Sequence, residues 1–166
     1  MTTDKKYILS KEVVEKKLRR MAYEILENNI DEKEIILAGI RESGSVVAKV
    51  IQKMLGEISS IKTEFITITL DKKEPMDVSL SKSFDFNGKV IIVIDDVSNS
   101  GKTLLYALKP FIAFHPKKIQ ILVLMERTHT SFPVRPDYVG LSIATTLQEH
   151  IFVEVNKDEI SGAYLQ

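Results

Sequence analysis

Residues 90–103, VIIVIDDVSNSGKT, bring together the residue types in this chain that can do chemistry. An unbroken apolar run ends in two adjacent acids, Asp95 and Asp96. The turn Val97-Ser98-Asn99-Ser100-Gly101-Lys102-Thr103 follows and opens onto an apolar helical pattern. The first backbone N–H groups of a helix lack intrahelical partners and favour a phosphate. Gly101 lets the backbone approach such a group closely, and the hydroxyls of Ser100 and Thr103 add donors. Asp95 and Asp96 carry the wrong charge for phosphate. They suit the hydroxyls of a sugar, or a Mg²⁺ ion that accompanies one. An acid pair followed by a phosphate cradle therefore reads as a site for a sugar phosphate.

Two plainer readings compete. Ser-Gly-Lys-Thr is also the ending of the nucleoside-triphosphate loop, but that motif needs a glycine five positions before Gly101, and Asp96 stands there. Taken singly, the two acids read as solvated loop residues and Gly101 as a turn glycine. Together, at the end of the most apolar run in the chain, they read as a site.

The elements that must position this loop are visible as periodicities. Val14, Leu18, Met21 and Ile25 recur at helical spacing, with Ser10 as N-cap. The opposite face carries Lys11, Lys16, Lys17, Arg19 and Arg20. It reads first as a solvated face and second as a contact for an acidic partner. Residues 35–40 read as a buried strand ending in Arg41-Glu42-Ser43-Gly44. A second helix follows, with Val46, Val47, Val50, Ile51, Met54 and Leu55 apolar and Gly56 as its stop. Residues 64–70 alternate as a strand. Residues 71–86 show no clear period and are expected to form a long functional or disordered loop, with room for short strand pieces. After the strand at 89–94, a helix is expected from about Thr103 to near Pro110. Residues 119–125 read as another buried strand, 132–146 as turn-rich, and 151–155 as the last strand.

Helices alternating with apolar strands predict an α/β fold with a mostly parallel central sheet flanked by helices. Ligands bind at the carboxyl ends of such strands. That rule selects the loops at 41–44, 95–103 and 126–129.

The chain has 166 residues, 44% of them hydrophobic, so one domain with a real core is expected and global disorder is excluded. Basic and acidic residues number 23 each, giving zero net charge and no general support for nucleic-acid binding. There is no cysteine, which excludes disulfides, thiol catalysis and cysteine-held metals. No apolar run approaches the roughly 18 residues needed to cross a bilayer, and the first residues, MTTDKKYILSKE, form no apolar leader. A cytoplasmic protein without membrane contact is the expectation. His115, His129 and His150 have no metal-ligand spacing. His115 reads as a turn residue, and His129 as structural before ligand-binding.

IDDVSNSGKT resembles the phosphoribosyl-pyrophosphate (PRPP) motif of the type I phosphoribosyltransferases: an apolar strand, two acids and a Thr/Ser-Gly-x-Thr turn. More specifically, the chain resembles the pyrimidine-operon attenuation regulators, which are also uracil phosphoribosyltransferases. The resemblance runs through RRMAYEILENN, ILAGIRESGSVVAKVI, the PRPP loop and LVLMERTHTSFPVRPDYVGLSIATT. PDYVG is shared with hypoxanthine-type phosphoribosyltransferases as well.

The resemblance implies a type I phosphoribosyltransferase fold with a small hood, built mainly from residues 126–146 and the chain ends. It implies transfer of ribose 5-phosphate from PRPP to a nucleobase with release of pyrophosphate, uracil being favoured and a purine second. Asp95 and Asp96 would hold the ribose hydroxyls and, through them or water, Mg²⁺. Val97 to Thr103 would wrap the 5′-phosphate, and Arg41, Glu42, Ser43 and Gly44 the pyrophosphate. Arg127, Tyr138 and Val139 would belong to the hood over the base, Tyr138 near its ring face and Arg127 near the phosphates or base. Residues 71–86 would be the flexible loop that closes over the reacting centre.

The resemblance further implies a homo-oligomer, a dimer or a multiple of dimers. Departures exist: Ser43 stands where the regulators have a basic residue, Glu126-Arg127-Thr128-His129 where they have Asp-Arg-Gly-His, and Tyr23 where they have a histidine. Lys72 and Lys73 stand where the flexible loop would carry an arginine. The alternative reading is a catalytically weak sensor of PRPP or a nucleotide that binds RNA or a protein partner.

Overall fold

The computed structural model describes residues 4–146 and 148–166. In chain order the elements are β1 (Lys6–Ser10), α1 (Lys11–Asn28), β2 (Glu34–Ile40), α2 (Ser43–Ile58), β3 (Lys62–Leu70), β4 (Val78–Leu80), β5 (Val90–Ser98), α3 (Lys102–Ala107), α4 (Lys109–Ile112), β6 (Lys118–Arg127), β7 (Tyr138–Ile143), β8 (Ile151–Asn156) and β9 (Glu159–Leu165). A six-stranded sheet has the order β4-β3-β2-β5-β6-β7. All its pairings are parallel except that of β4 with β3. The expected mixed α/β architecture with a mostly parallel sheet is what the chain adopts.

The unbroken apolar runs follow from burial on both faces. Along the central strands side chains alternate between two cores. Leu37, Ile92, Ile94, Leu122 and Leu124 pack with Val14, Leu18, Met21 and Ile25 of α1 and Val47, Ile51 and Leu55 of α2. Ile36, Ala38, Ile91, Val93 and Val123 pack on the other face with Leu104, Ala107 and Phe111. Ser10 caps α1 as its position predicts, its Oγ accepting from Val13 N at 3.3 Å.

Several expectations are corrected. Gly56 does not stop α2, which continues to Ile58. Gly56 is exposed, with open space around it. Ser59 ends the helix instead, its Oγ donating to Leu55 O at 2.7 Å. The helical stretch expected to end near Pro110 or a little after does end at Ile112, divided into two helices at Leu108 with Pro110 in the second. Pro110 lies in the first turn of α4, where its missing N–H leaves no hydrogen bond unmade.

The tract 71–86 is only partly a loop. Val78–Leu80 pairs antiparallel with Ile68–Leu70, too short a strand to show a period. Phe86 is fully buried, edge-on to Phe111 at a ring separation of 5.0 Å. Within the turn-rich tract 132–146 lies β7, parallel to β6. Asp137 fastens its start: its Oδ2 accepts from Ile121 N, and its own N–H donates to Ile121 O, both at 2.8 Å.

The strand at 151–155 is not the last. β9 follows it, and the antiparallel sheet β1-β9-β8 joins the two ends of the chain. Its buried face, with Leu9, Ile151, Ile160 and Ala163, continues the α1–α2 core. Residues 126–146 contribute the end of β6 and β7 to the large sheet rather than a strand to this small one.

Because Gly56 is an exposed helical residue whose Cβ would meet nothing within 4 Å, Gly56→Ala is expected to stabilise the fold by about 0.5–1 kcal/mol. Thermal unfolding checks it. A fall in Tm would show that the α2 backbone needs glycine there.

Candidate functional site

The carboxyl ends of β2, β5 and β6 lie side by side in the sheet, so the loops that follow them converge. β5 is the middle one. It runs on to Ser98, which makes Asp95 and Asp96 strand residues rather than loop residues. Asp95 faces Val123 of β6 in register and is 1% exposed. Its Oδ1 accepts from Asp96 N at 2.9 Å. Its Oδ2 is buried with no hydrogen-bond partner among the described residues, and so is Ser98 Oγ. Asp96 Oδ1 accepts from Val97 N at 2.8 Å. Burial pushes the Asp95 carboxyl well above the usual aspartate range; the Asp96 carboxylate beside it adds to the rise, and the Lys72 ammonium opposes it.

Two glycines make this placement feasible. A Cβ on Gly44 would lie 2.8 Å from Ile94 O and 2.9 Å from Asp95 Oδ1, so the start of α2 can sit against β5 only without one. Gly101 has φ +86°, a left-handed conformation that glycine adopts without strain. Behind it Lys102 N donates to Ser100 Oγ at 3.3 Å. Ser131 N and Phe132 N donate to Ser100 O at 3.0 and 3.1 Å, tying the loop after β6 to the turn. Lys72, Asp95 and residues 97–104 line a cavity of about 70 Å³. Its lining sets the Asp95 carboxylate and the Lys72 ammonium beside the hydroxyl-bearing residues Ser98, Ser100 and Thr103.

Arg41 follows β2 directly. Its N–H donates to Ile68 O at 2.9 Å, and its guanidinium, 62% exposed, comes no closer to Glu42 than 3.9 Å. The Arg41–Glu42 peptide bond is cis. Glu42 precedes α2, while Ser43 and Gly44 form its first turn. Of the residues expected to hold pyrophosphate, Gly44 is brought against Asp95, whereas Arg41, Glu42 and Ser43 do not line the cavity beside the acid pair.

The residues expected over the base divide. Arg127 ends β6 and is fastened to the chain after β7: its Nη2 donates to Thr146 O at 2.6 Å and its Nε to Thr145 Oγ1. With Asn99, Ser100, His129, Thr130, Ser131 and Thr145 it lines a second cleft of about 250 Å³, which shares Asn99 and Ser100 with the first. Tyr138 is not in that cleft. It is 1% exposed, belongs to the α1-side core and donates through its hydroxyl to Gln120 Oε1 at 2.8 Å. Burial pushes its phenol above the usual range.

Val139 packs on the opposite core, and its carbonyl accepts from Arg20 of α1 at 3.0 Å. Both sit early in β7, where alternation sends side chains into the two cores rather than beyond the strand ends. Ser131 and Thr145 reach the cleft instead, and no spacing in the sequence singles them out. His129 lines the cleft, whereas His115, expected in a turn, ties its segment to the one before β5: its N–H donates to Asn87 Oδ1 and its carbonyl accepts from Gly88 N.

Among the described residues no cluster of three His, Cys, Asp or Glu side chains could hold a metal alone. Two carboxylates with one orphaned buried oxygen fit Mg²⁺, which keeps waters and substrate oxygens around one or two protein carboxylates. Among the described residues no helix is long and apolar enough to cross a membrane.

Residues 5–158 match the family described as the phosphoribosyl transferase domain. The chain is 32% identical over 158 residues to the bifunctional protein PyrR of Streptococcus pneumoniae, covering 92% of this chain and 91% of that one. It is 30% identical over 158 residues to the bifunctional protein PyrR of Haemophilus ducreyi, covering 89% and 88%. The hypoxanthine-guanine phosphoribosyltransferase of Bacillus anthracis superposes with a TM-score of 0.76 at 21% identity, over 95% of this chain and 96% of that one. The hypoxanthine phosphoribosyltransferase of Trypanosoma cruzi does so with a TM-score of 0.80 at 14% identity, over 96% and 95%. At those identities the superpositions speak for the fold, and the family match speaks for the lineage. The chain belongs to the type I phosphoribosyltransferase family.

Proposed function

We propose that this protein transfers ribose 5-phosphate from PRPP to a nucleobase, uracil first and a purine second, with release of pyrophosphate. The observation that carries the reading is the buried Asp95 beside Asp96, set at the carboxyl end of the central strand against the Gly101 turn. The preference for uracil rests on the resemblance to the pyrimidine-operon regulators. The purine alternative rests on the named activity of the structural neighbours.

In this reaction the bond from C1 of the ribose to pyrophosphate breaks, the ring becomes cationic, and a base nitrogen forms the new bond. The work of the protein is to position, neutralise and exclude water. Asp95 and Asp96 accept from the ribose hydroxyls, and their negative charge suits a sugar that becomes positive. The N–H groups and hydroxyls of residues 98–103 donate to the 5′-phosphate. Arg41 supplies charge to the departing pyrophosphate. Mg²⁺, held through Asp95 and Asp96 by hydroxyls or water, supplies further neutralisation of the pyrophosphate when bound. Arg127, Ser131 and Thr145 line the cleft left for the base.

The alternative of an RNA-binding sensor draws little from α1. Lys16 pairs with Glu12 at 2.9 Å, Arg19 with Glu57 at 3.3 Å, and Arg20 with Glu24, so the basic face is neutralised within the chain.

Incubation with PRPP, Mg²⁺ and a panel of bases is expected to release pyrophosphate, most with uracil. Failure of every base in the panel to release pyrophosphate would sink the reading. The double variant Asp95→Asn with Asp96→Asn is expected to lose PRPP affinity by calorimetry.

A third outcome follows from the burial of Asp95. Its folded pKa is raised, so the folded state holds the proton more tightly than the unfolded chain does. The cost of keeping it ionised is absent below the ordinary aspartate range and grows as pH rises through the raised value. Asp95→Asn alone is therefore expected to stabilise the ligand-free protein at neutral pH and to raise its Tm. The gain should shrink at about pH 4. A variant less stable than the parent at pH 7 would show that the carboxylate holds the fold together.

A further inference from the structure

The turn between β3 and β4 lies over the acid pair and is fastened there at separate points. Lys72 Nζ is 3.5 Å from Asp95 Oδ1 and 3.8 Å from Asp96 Oδ1. Lys102 Nζ, from the first residue of α3, donates to Lys73 O at 3.4 Å. Lys109 Nζ, from α4, donates to Met76 O at 2.7 Å. Within the turn, Asp71 Oδ1 accepts from Lys73 N at 2.9 Å. Lys72 also lines the small cavity that Asp95 and the Gly101 turn enclose.

An ammonium at that point lies where a second cation would have to lie. Two adjacent carboxylates, one of them buried, repel each other and need a counter-ion close by. Lys72 supplies one charge on a flexible stem, and its side chain is 48% exposed, so it can leave without unfolding anything. A divalent ion brings twice the charge to the same oxygens, and Asp95 Oδ2 has no partner to lose.

We propose that Lys72 is the resident counter-ion of the Asp95–Asp96 pair and exchanges with the divalent cation that arrives with the ligand, removing one of the fastenings of the 71–77 turn and so loosening it. Only the identity of that ligand rests on the phosphoribosyl reading; the competition between ammonium and divalent ion belongs to the chain itself. Lys72 is thus a positioning residue. It sets how tightly the empty site takes a metal and couples metal entry to movement of the turn.

The test is titration of Mn²⁺, as a paramagnetic stand-in for Mg²⁺, into the whole protein, with free Mn²⁺ read by electron paramagnetic resonance. Lys72→Met is expected to bind Mn²⁺ about two- to fivefold more tightly than the parent, as loss of a half-exposed ion pair implies. Lys72→Arg should match the parent, and Asp95→Asn should lose the site. Lys72→Gln is the second neutral variant should the first fold poorly.

Trypsin gives an independent readout. Cleavage after Lys73 should accelerate on adding Mn²⁺ to the parent and be fast without metal in Lys72→Met. Equal Mn²⁺ affinity in the parent and both neutral variants, or no binding in any of them, overturns the proposal. If PRPP fails to bind but the tightening persists, the proposal stands without the phosphoribosyl reading. If PRPP binds and the affinities are equal, the reverse holds.

Discussion

A carboxylate buried beside another carboxylate is the constraint around which this molecule is arranged. Asp95 is excluded from water at the end of the central strand, and Asp96 follows it directly. Such a group costs free energy unless something offsets it. Here the offset in the free protein is slight: one backbone N–H, one half-exposed lysine and a second oxygen with no partner. A fold keeps such an arrangement when a ligand completes it.

The surrounding elements hold that arrangement rigid. β5 lies between β2 and β6, and apolar layers cover both faces of the sheet. Backbone position at Asp95 is therefore set by cross-strand pairing and by two packed cores rather than by the loop. Gly44 brings the start of α2 into contact with Asp95, and Gly101 turns the chain back above it. The small sheet of the two chain ends packs on the α1–α2 core, well away from the acids in the sequence. Rigid placement of the acids and light fastening of the 71–77 turn are complementary. The first pre-organises the site, and the second lets ligands in.

The cleft around Arg127 shows a different division of labour. Arg127 is spent on holding the segment after β7, so its charge shapes a wall instead of reaching freely. Ser131, Thr145 and His129 share that wall with Asn99 and Ser100.

What the sequence determined by itself was local. Helical spacing and the Ser10 cap marked α1, apolar runs marked β2, β5 and β6, and the order of acids, glycine and hydroxyls marked the site, because each rests on residues a few positions apart. Tertiary structure decided the rest. Val78–Leu80 became a strand because β3 offered an edge to pair with, and Glu159–Leu165 because β1, at the other end of the chain, lay beside it. Tyr138 went into the core instead of the cleft around Arg127 because alternation along β7 aimed it at Gln120 and α1. Lys72 reached the acid pair only because the β3–β4 turn folds over β5. These outcomes depend on contacts between separate elements of the chain, whose geometry is set when the sheet assembles and leaves no period to read beforehand.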